Sequence, residues 1–202
     1  AESHRLLDGQ PAAAINPNLT VMADITQAMI LADNRGIAFM GTTKQGPFDI
    51  PGEMALNWLC DPNPHGKPSS DVIFPWMNGQ DMTRRNREMW IVDFFNMSES
   101  ESMLYAAPFA YVTEKVKTMR AESPRAWYRK EWWQLYAQRP EMRKALTPPG
   151  RYIVTARVSK HRLFAWVCPP VLPDCQLIVF ARSDDYFFGV LHSWPHEVWA
   201  LA

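Results

Sequence analysis

Two apolar runs flank a short polar knot between Arg151 and Val167, RYIVTARVSKHRLFAWV. Tyr152, Ile153, Val154 and Val158 on one side, and Leu163, Phe164, Trp166 and Val167 on the other, are β-branched or aromatic, the composition of strands. The pattern predicts an antiparallel pair on a buried face, with a turn that carries Arg157, Ser159, Lys160, His161 and Arg162 outward. Cations and hydroxyls gathered this way suit phosphate oxygens and base edges. A solvated hairpin tip with ordinary surface charge has the same composition, and both readings stay open on these residues alone.

The same pattern predicts further strands over Ile37 to Met40, Asp71 to Trp76, Met89 to Phe95 and Leu177 to Ala181. Helical spacing predicts helices over Asp24 to Asp33, ended by Asn34-Arg35-Gly36, and over Glu53 to Leu59 with Met54, Leu56 and Leu59 inward. Ser98 to Glu101 is a capping box that opens a helix with Met103 and Leu104 inward, interrupted at Pro108 and resumed through Met119. Ser123 and Pro124 start another, bearing Trp127, Trp132, Trp133, Leu135 and Tyr136, and Pro140 starts a fourth that ends near Leu146. Cys168 to Pro173 is read as an extended linker, and Phe187 to Trp199 as helical. Residues 1–20, with a turn at Asp8-Gly9, are read as an arm or edge strand entering from a preceding domain. These elements predict an α+β domain: a twisted, mainly antiparallel sheet with a helical hairpin insertion over 98–147 and a C-terminal helix. The final segment, 150–202, holds the basic hairpin, a strand and that helix.

Several loops carry candidate chemistry. In GTTKQGPFDIP, Gly41 and Gly46 permit close backbone approach to a ligand, and Thr42, Thr43, Lys44 and Gln45 offer donors. The Lys does not follow the last Gly, so this is not a phosphate-binding P-loop; a partnerless surface loop is the alternative. Asn78 and Gln80 flank Gly79, and carboxamides there suit adenine in the major groove, while an Asn-Gly pair also simply makes a turn. Arg84, Arg85 and Arg87 follow. Asp93 stands alone in a strand, where an arginine or a backbone amide is its expected partner. The tetrad Asp61-Pro62-Asn63-Pro64 departs from the Asn-Pro-Pro-aromatic motif of amino-methylating enzymes at its third and fourth positions and reads as a turn. Cys168, Cys175, His192 and His196 lack zinc-site spacing, because prolines separate the cysteines and Pro195 interrupts the helix that would align the histidines. Arg125, Arg129 and Lys130 interleave with aromatics as in some single-strand binders, but the helical spacing of those aromatics reads as core.

At 202 residues with 47% hydrophobic and 21% charged content, the chain is long enough to bury a core. Its 21 basic and 21 acidic residues cancel, which argues against a nucleic-acid binder unless the charges are segregated in space. Glu99, Glu101, Glu114 and Glu122 do fall in the middle, while Arg151, Arg157, Lys160 and Arg162 cluster later. Three cysteines without framework spacing fit reduced thiols, and no apolar run suits a membrane or a signal peptide, so a cytoplasmic protein is expected. Ala1 at the start and an apolar pattern cut at Ala202 suggest a piece of a longer enzyme.

The series RYIVTARVSKHRLF, then LPDCQLIVFARSDDYFFGVLHSWPHEVWAL, resembles the target recognition domain of the MmeI-like restriction-modification DNA methyltransferases. Matching stretches run from Asn34 to Ala55, Ser69 to Arg85 and Trp90 to Phe94, so the likeness covers most of the chain. It implies an adenine-modifying enzyme whose S-adenosylmethionine site and methyltransferase domain lie elsewhere in the polypeptide, with this part holding double-stranded DNA. No catalytic residue and no metal site are expected here. Under that reading Arg157, Lys160 and Arg162 meet guanine or phosphate, and Ser159, His161, Asn78 and Gln80 supply smaller donors and acceptors. Lys44, Arg84, Arg85 and Arg87 would hold the DNA backbone. The rival is a structural or protein-interaction domain that docks through its tryptophan-rich helices.

Overall fold

Strands from distant parts of the chain assemble into two four-stranded sheets, where the sequence predicts one. The computed structural model describes residues 5–16, 19, 21, 29, 31–147 and 150–201. In chain order the elements are β1 (Leu6–Leu7), β2 (Gln10–Pro11), β3 (Ala38–Met40), β4 (Asp49–Pro51), α1 (Gly52–Cys60), β5 (Ile73–Met77), α2 (Gly79–Thr83) and β6 (Met89–Val92). Then come α3 (Glu99–Ser102), α4 (Ala106–Val112), a π-helical turn (Thr113–Lys117), α5 (Thr118–Ala121), α6 (Ala126–Lys130) and α7 (Pro140–Leu146). Last are β7 (Tyr152–Ala156), β8 (Phe164–Val167), β9 (Leu172–Pro173), β10 (Leu177–Phe180), α8 (Asp185–His192) and α9 (Trp194–Leu201).

The first sheet runs β3-β10-β7-β8, antiparallel throughout. Its predicted hairpin is present, with Tyr152 opposite Val167 and Thr155 opposite Phe164. Tyr152, Val154, Val167 and Val179 bury one face against Met142 and Leu146 of α7, with Met77 and Met82 packed alongside. Fully burying side chains of this size stabilises by about 1.5–3 kcal/mol each, and the alternation of strand positions sets which ones do so.

The second sheet runs β4-β6-β5-β9, antiparallel except for the parallel pair β5 and β9. Its core joins Phe48, Ile50, Val72, Ile91 and Phe94 to Val112, Val116, Trp132, Trp133 and Leu135 of the 98–147 segment. β9 corrects the linker reading of 168–173: Leu172 and Pro173 pair with Trp76 and Met77. From there Pro173 accepts from the Thr42 backbone at 2.8 Å and from its hydroxyl at 2.9 Å, which ties the loop after β3 to the second sheet.

Other expectations shift in detail. Leu56 and Met103 are exposed and Leu104 partly so, while Ala55 and Ser102 face inward. The 98–147 segment is a series of short helices, with an irregular stretch from 131 to 139, instead of a helical hairpin. Pro108 lies near the start of α4, where a missing N–H is tolerated, and the break falls before it. The C-terminal run forms two helices, because Ser193 is extended and Pro195 sits at the start of α9. The helix expected over Asp24 to Asp33 lies largely outside the described residues; Ala32–Asn34 is a short 3-10 turn. Asp8 and Gly9 both have positive φ, which closes the β1–β2 ribbon as the sequence suggests.

Candidate nucleic-acid interface

The short helix α2 is built around a reciprocal cap. The Asn78 side chain accepts from the backbone of Gln80 at 2.8 Å and of Asp81 at 3.3 Å, and the Asp81 carboxylate accepts from Asn78 N at 2.9 Å. That carboxylate also takes Arg87 Nε at 2.9 Å and Arg87 Nη2 at 3.1 Å, a two-pronged ion pair. Burial alone would raise the Asp81 carboxyl, but the hydrogen bonds from Arg87 and from the Asn78 backbone outweigh it and hold it below its usual range. Two predicted contact residues, Asn78 and Arg87, are therefore structural supports for α2. Gln80, Arg84 and Arg85 are exposed, and neither arginine pairs with an acid among the described residues.

α2 packs against the end of β7. At Gly79 a Cβ would stand 3.3 Å from Gln176 Cβ and 3.9 Å from Ala156 Cβ, so a larger residue would push the helix away. Beyond Ala156 the Arg157 backbone still donates to Gln176 O at 2.7 Å, and Thr155 Oγ1 donates to Leu163 O at 2.7 Å, which closes the base of the tip. Arg157, Val158, Ser159, Lys160 and His161 are exposed there. Between tip and helix lies a cleft of about 410 Å³ lined by Asn78, Gly79, Gln80, Thr83, Arg84, Val158 and Gln176. Two regions predicted separately thus meet at one place.

Arg162 corrects the prediction for the tip. Its Nη1 donates to Leu191 O and lies against His196 Nδ1, while Nη2 is 3.9 Å from Glu197 Oε2. It anchors the hairpin on α8 and α9 and is turned away from solvent. His192 and His196 pack beside Phe164, with ring centroids 5.5 and 6.1 Å away. Lys44 is also engaged, by the Asp49 carboxylate, although Asp174 links its surroundings electrostatically to those of Arg87. The open cations of the predicted set are Arg84, Arg85, Arg157 and Lys160.

Asp174, Gln176 and Arg120 are supporting residues that the sequence did not single out. Asp174 Oδ1 accepts from Gln176 N at 2.9 Å, an Asx turn that presents Gln176 to the cleft, and the Asp-x-Gln spacing was the available signal. Gly41 is a close approach, but to the protein itself, since a Cβ would stand 2.1 Å from Asp174 O. Arg120, 2% exposed, donates to the carbonyls of Lys44, Gln45, Glu131, Trp132 and Gln134. Burial lowers its guanidinium to about 10, and nothing in the local sequence marks it. Asp93 finds the arginine expected of it: Arg143 Nη2 lies 2.6 Å from Oδ2, while burial raises the carboxyl.

Of the interleaved aromatics, Trp132 and Trp133 are core, with the aliphatic Leu135 beside them, and Trp127 and Tyr136 are partly exposed. Cys60 and Cys168 are exposed, and no cluster of three metal-ligating residues occurs among the described residues. No helix among them is long and apolar enough to cross a membrane.

Neither a protein-family model nor a curated protein matches this chain. Its fold is similar to part of a solved structure, the Type IIL restriction-modification enzyme MmeI in complex with DNA, with a TM-score of 0.64 and 16% sequence identity. The similarity covers 91% of this chain and 24% of that one, so the chain spans about a quarter of the neighbour's length. At that identity what the two share is the fold.

Proposed function

We propose that this chain is the target recognition domain of a bacterial, site-specific, adenine-N6 DNA methyltransferase of the restriction-modification kind. The observation that carries the reading is the cleft where Gln80 of α2 and Arg84 just past its end meet the exposed tip that follows β7. A two-stranded ribbon fits the major groove of duplex DNA, about 12 Å wide. Arg157 and Lys160 then meet guanine edges or phosphates, Ser159 and His161 supply smaller donors, and Gln80 pairs with adenine. Arg84 and Arg85 hold the backbone, while Asn78, Arg87, Arg162 and Lys44 act through the elements they brace. The fold shared with an enzyme solved on DNA supports the same reading.

The methyl donor, S-adenosylmethionine, belongs in this reading to a methyltransferase domain of the same polypeptide. The close approach at Gly41, in the glycine loop after β3, is to the Asp174 carbonyl of the protein itself. The reading is tested by fluorescence-anisotropy titration of the enzyme with duplex DNA. Arg157→Ala with Lys160→Ala is expected to weaken binding roughly tenfold near physiological salt, the worth of two phosphate contacts. Arg125→Ala with Arg129→Ala, on the tryptophan-bearing segment, is expected to leave it unchanged. The opposite ranking would move the DNA contact from the hairpin tip to that segment and contradict the reading.

A further inference from the structure

One side chain in the cleft differs in kind from its neighbours. Asn78, Gln80, Thr83, Arg84 and Gln176 are polar, and Val158 is apolar and 84% exposed. The strand pattern predicts it buried, but β7 ends at Ala156 and Val158 leaves the ladder into solvent. A lone exposed valine is ordinary on a protein surface. This one stands between Arg157 and Ser159, on the tip assigned to a DNA groove, and it lines the same cleft as two exposed carboxamides, those of Gln80 and Gln176.

Branching at Cβ restricts its χ1, so the two methyl groups are presented in a narrow range of directions. In the major groove the thymine C5-methyl is the apolar feature, and the adenine of the same pair shows N7 and N6, which a Gln carboxamide bridges. An apolar knob beside two carboxamides therefore complements the two halves of an A·T pair.

We infer that the cleft between α2 and the hairpin selects an A·T base pair, with Val158 against the thymine methyl and Gln80 or Gln176 on the adenine edge. This rests on the reading of the chain as a DNA-recognition domain. Asn78 and Arg87 take part only by fixing α2, whose first turn presents Gln80.

The test starts from duplexes selected by the full-length protein out of a random-sequence pool. Each thymine of the selected site is then replaced singly by uracil, which deletes the methyl and keeps the pairing. For wild type, one position is expected to lose about three- to five-fold in affinity, the worth of one methyl group taken from water. Val158→Asn is expected to bind the thymine and uracil duplexes equally at that position, and Val158→Ile to keep the preference. A wild type indifferent to the methyl at every thymine, or a Val158→Asn protein that keeps the ratio, overturns the inference while DNA recognition stands. Failure to bind any duplex from the pool overturns both.

Discussion

Arg120 donates a hydrogen bond of 2.8 Å to the carbonyl oxygen of Lys44, which lies 76 residues earlier in the chain. The same guanidinium reaches Gln134 O at 2.7 Å, so one side chain joins the loop after β3 to the irregular stretch after α6. Its planar fork carries five N–H donors, and a lysine offers three from a single point. Arg120→Ala leaves several buried carbonyls unpaired and is expected to cost about 3 kcal/mol or more, since each such group is worth about 1–3. Arg120→Lys is expected to recover less than half of that. Urea unfolding followed by tryptophan fluorescence measures both.

The Asp93–Arg143 pair makes a different prediction, because the carboxylate is the member that is fully buried. Arg143→Met strands that charge and is expected to lose about 3–5 kcal/mol. Adding Asp93→Asn to the same protein removes the charge, and the double variant is expected to regain much of the loss. A double-mutant cycle in urea checks the sign of the coupling: strict additivity would mean the pair is not held as described.

Acid sensitivity follows from Asp81. Its carboxyl is held below the ordinary value of 3.8, so the ionised form stabilises the fold at pH values above that. The contribution is lost as pH falls through the lowered folded-state value. Asp81→Asn is therefore expected to lower the melting temperature at neutral pH and to flatten its decline below about pH 4. Melting curves recorded from pH 7 down to pH 2 for both proteins provide the comparison.

The hairpin was legible in the sequence because β-branched and aromatic residues on both sides of a polar knot leave little choice of partner. Asp93 was legible for a similar reason, since a buried carboxylate requires a donor. Arg162 was not, because the same cation can face solvent or a helix whose position depends on residues some thirty places later. Leu172 and Pro173 read as linker, since two residues beside prolines carry no strand signal until Trp76 and Met77 stand next to them. The part of the candidate site that emerged only in three dimensions is Gln176 and the packing of Gly79 against it. Both depend on the approach of α2 to the turn before β10 and to the end of β7, which no local pattern encodes.

The salt dependence of duplex binding tests the central claim most directly, because phosphate contacts release counterions and apolar docking does not. The slope of log affinity against log salt is compared for wild type and for the Arg157→Ala, Lys160→Ala protein. A steep negative slope for wild type, shallower by roughly 1.8 in the double variant, is the result expected when both cations touch phosphate. A wild-type slope near zero, or one that the two substitutions leave unchanged, would contradict a DNA-reading role for the hairpin tip.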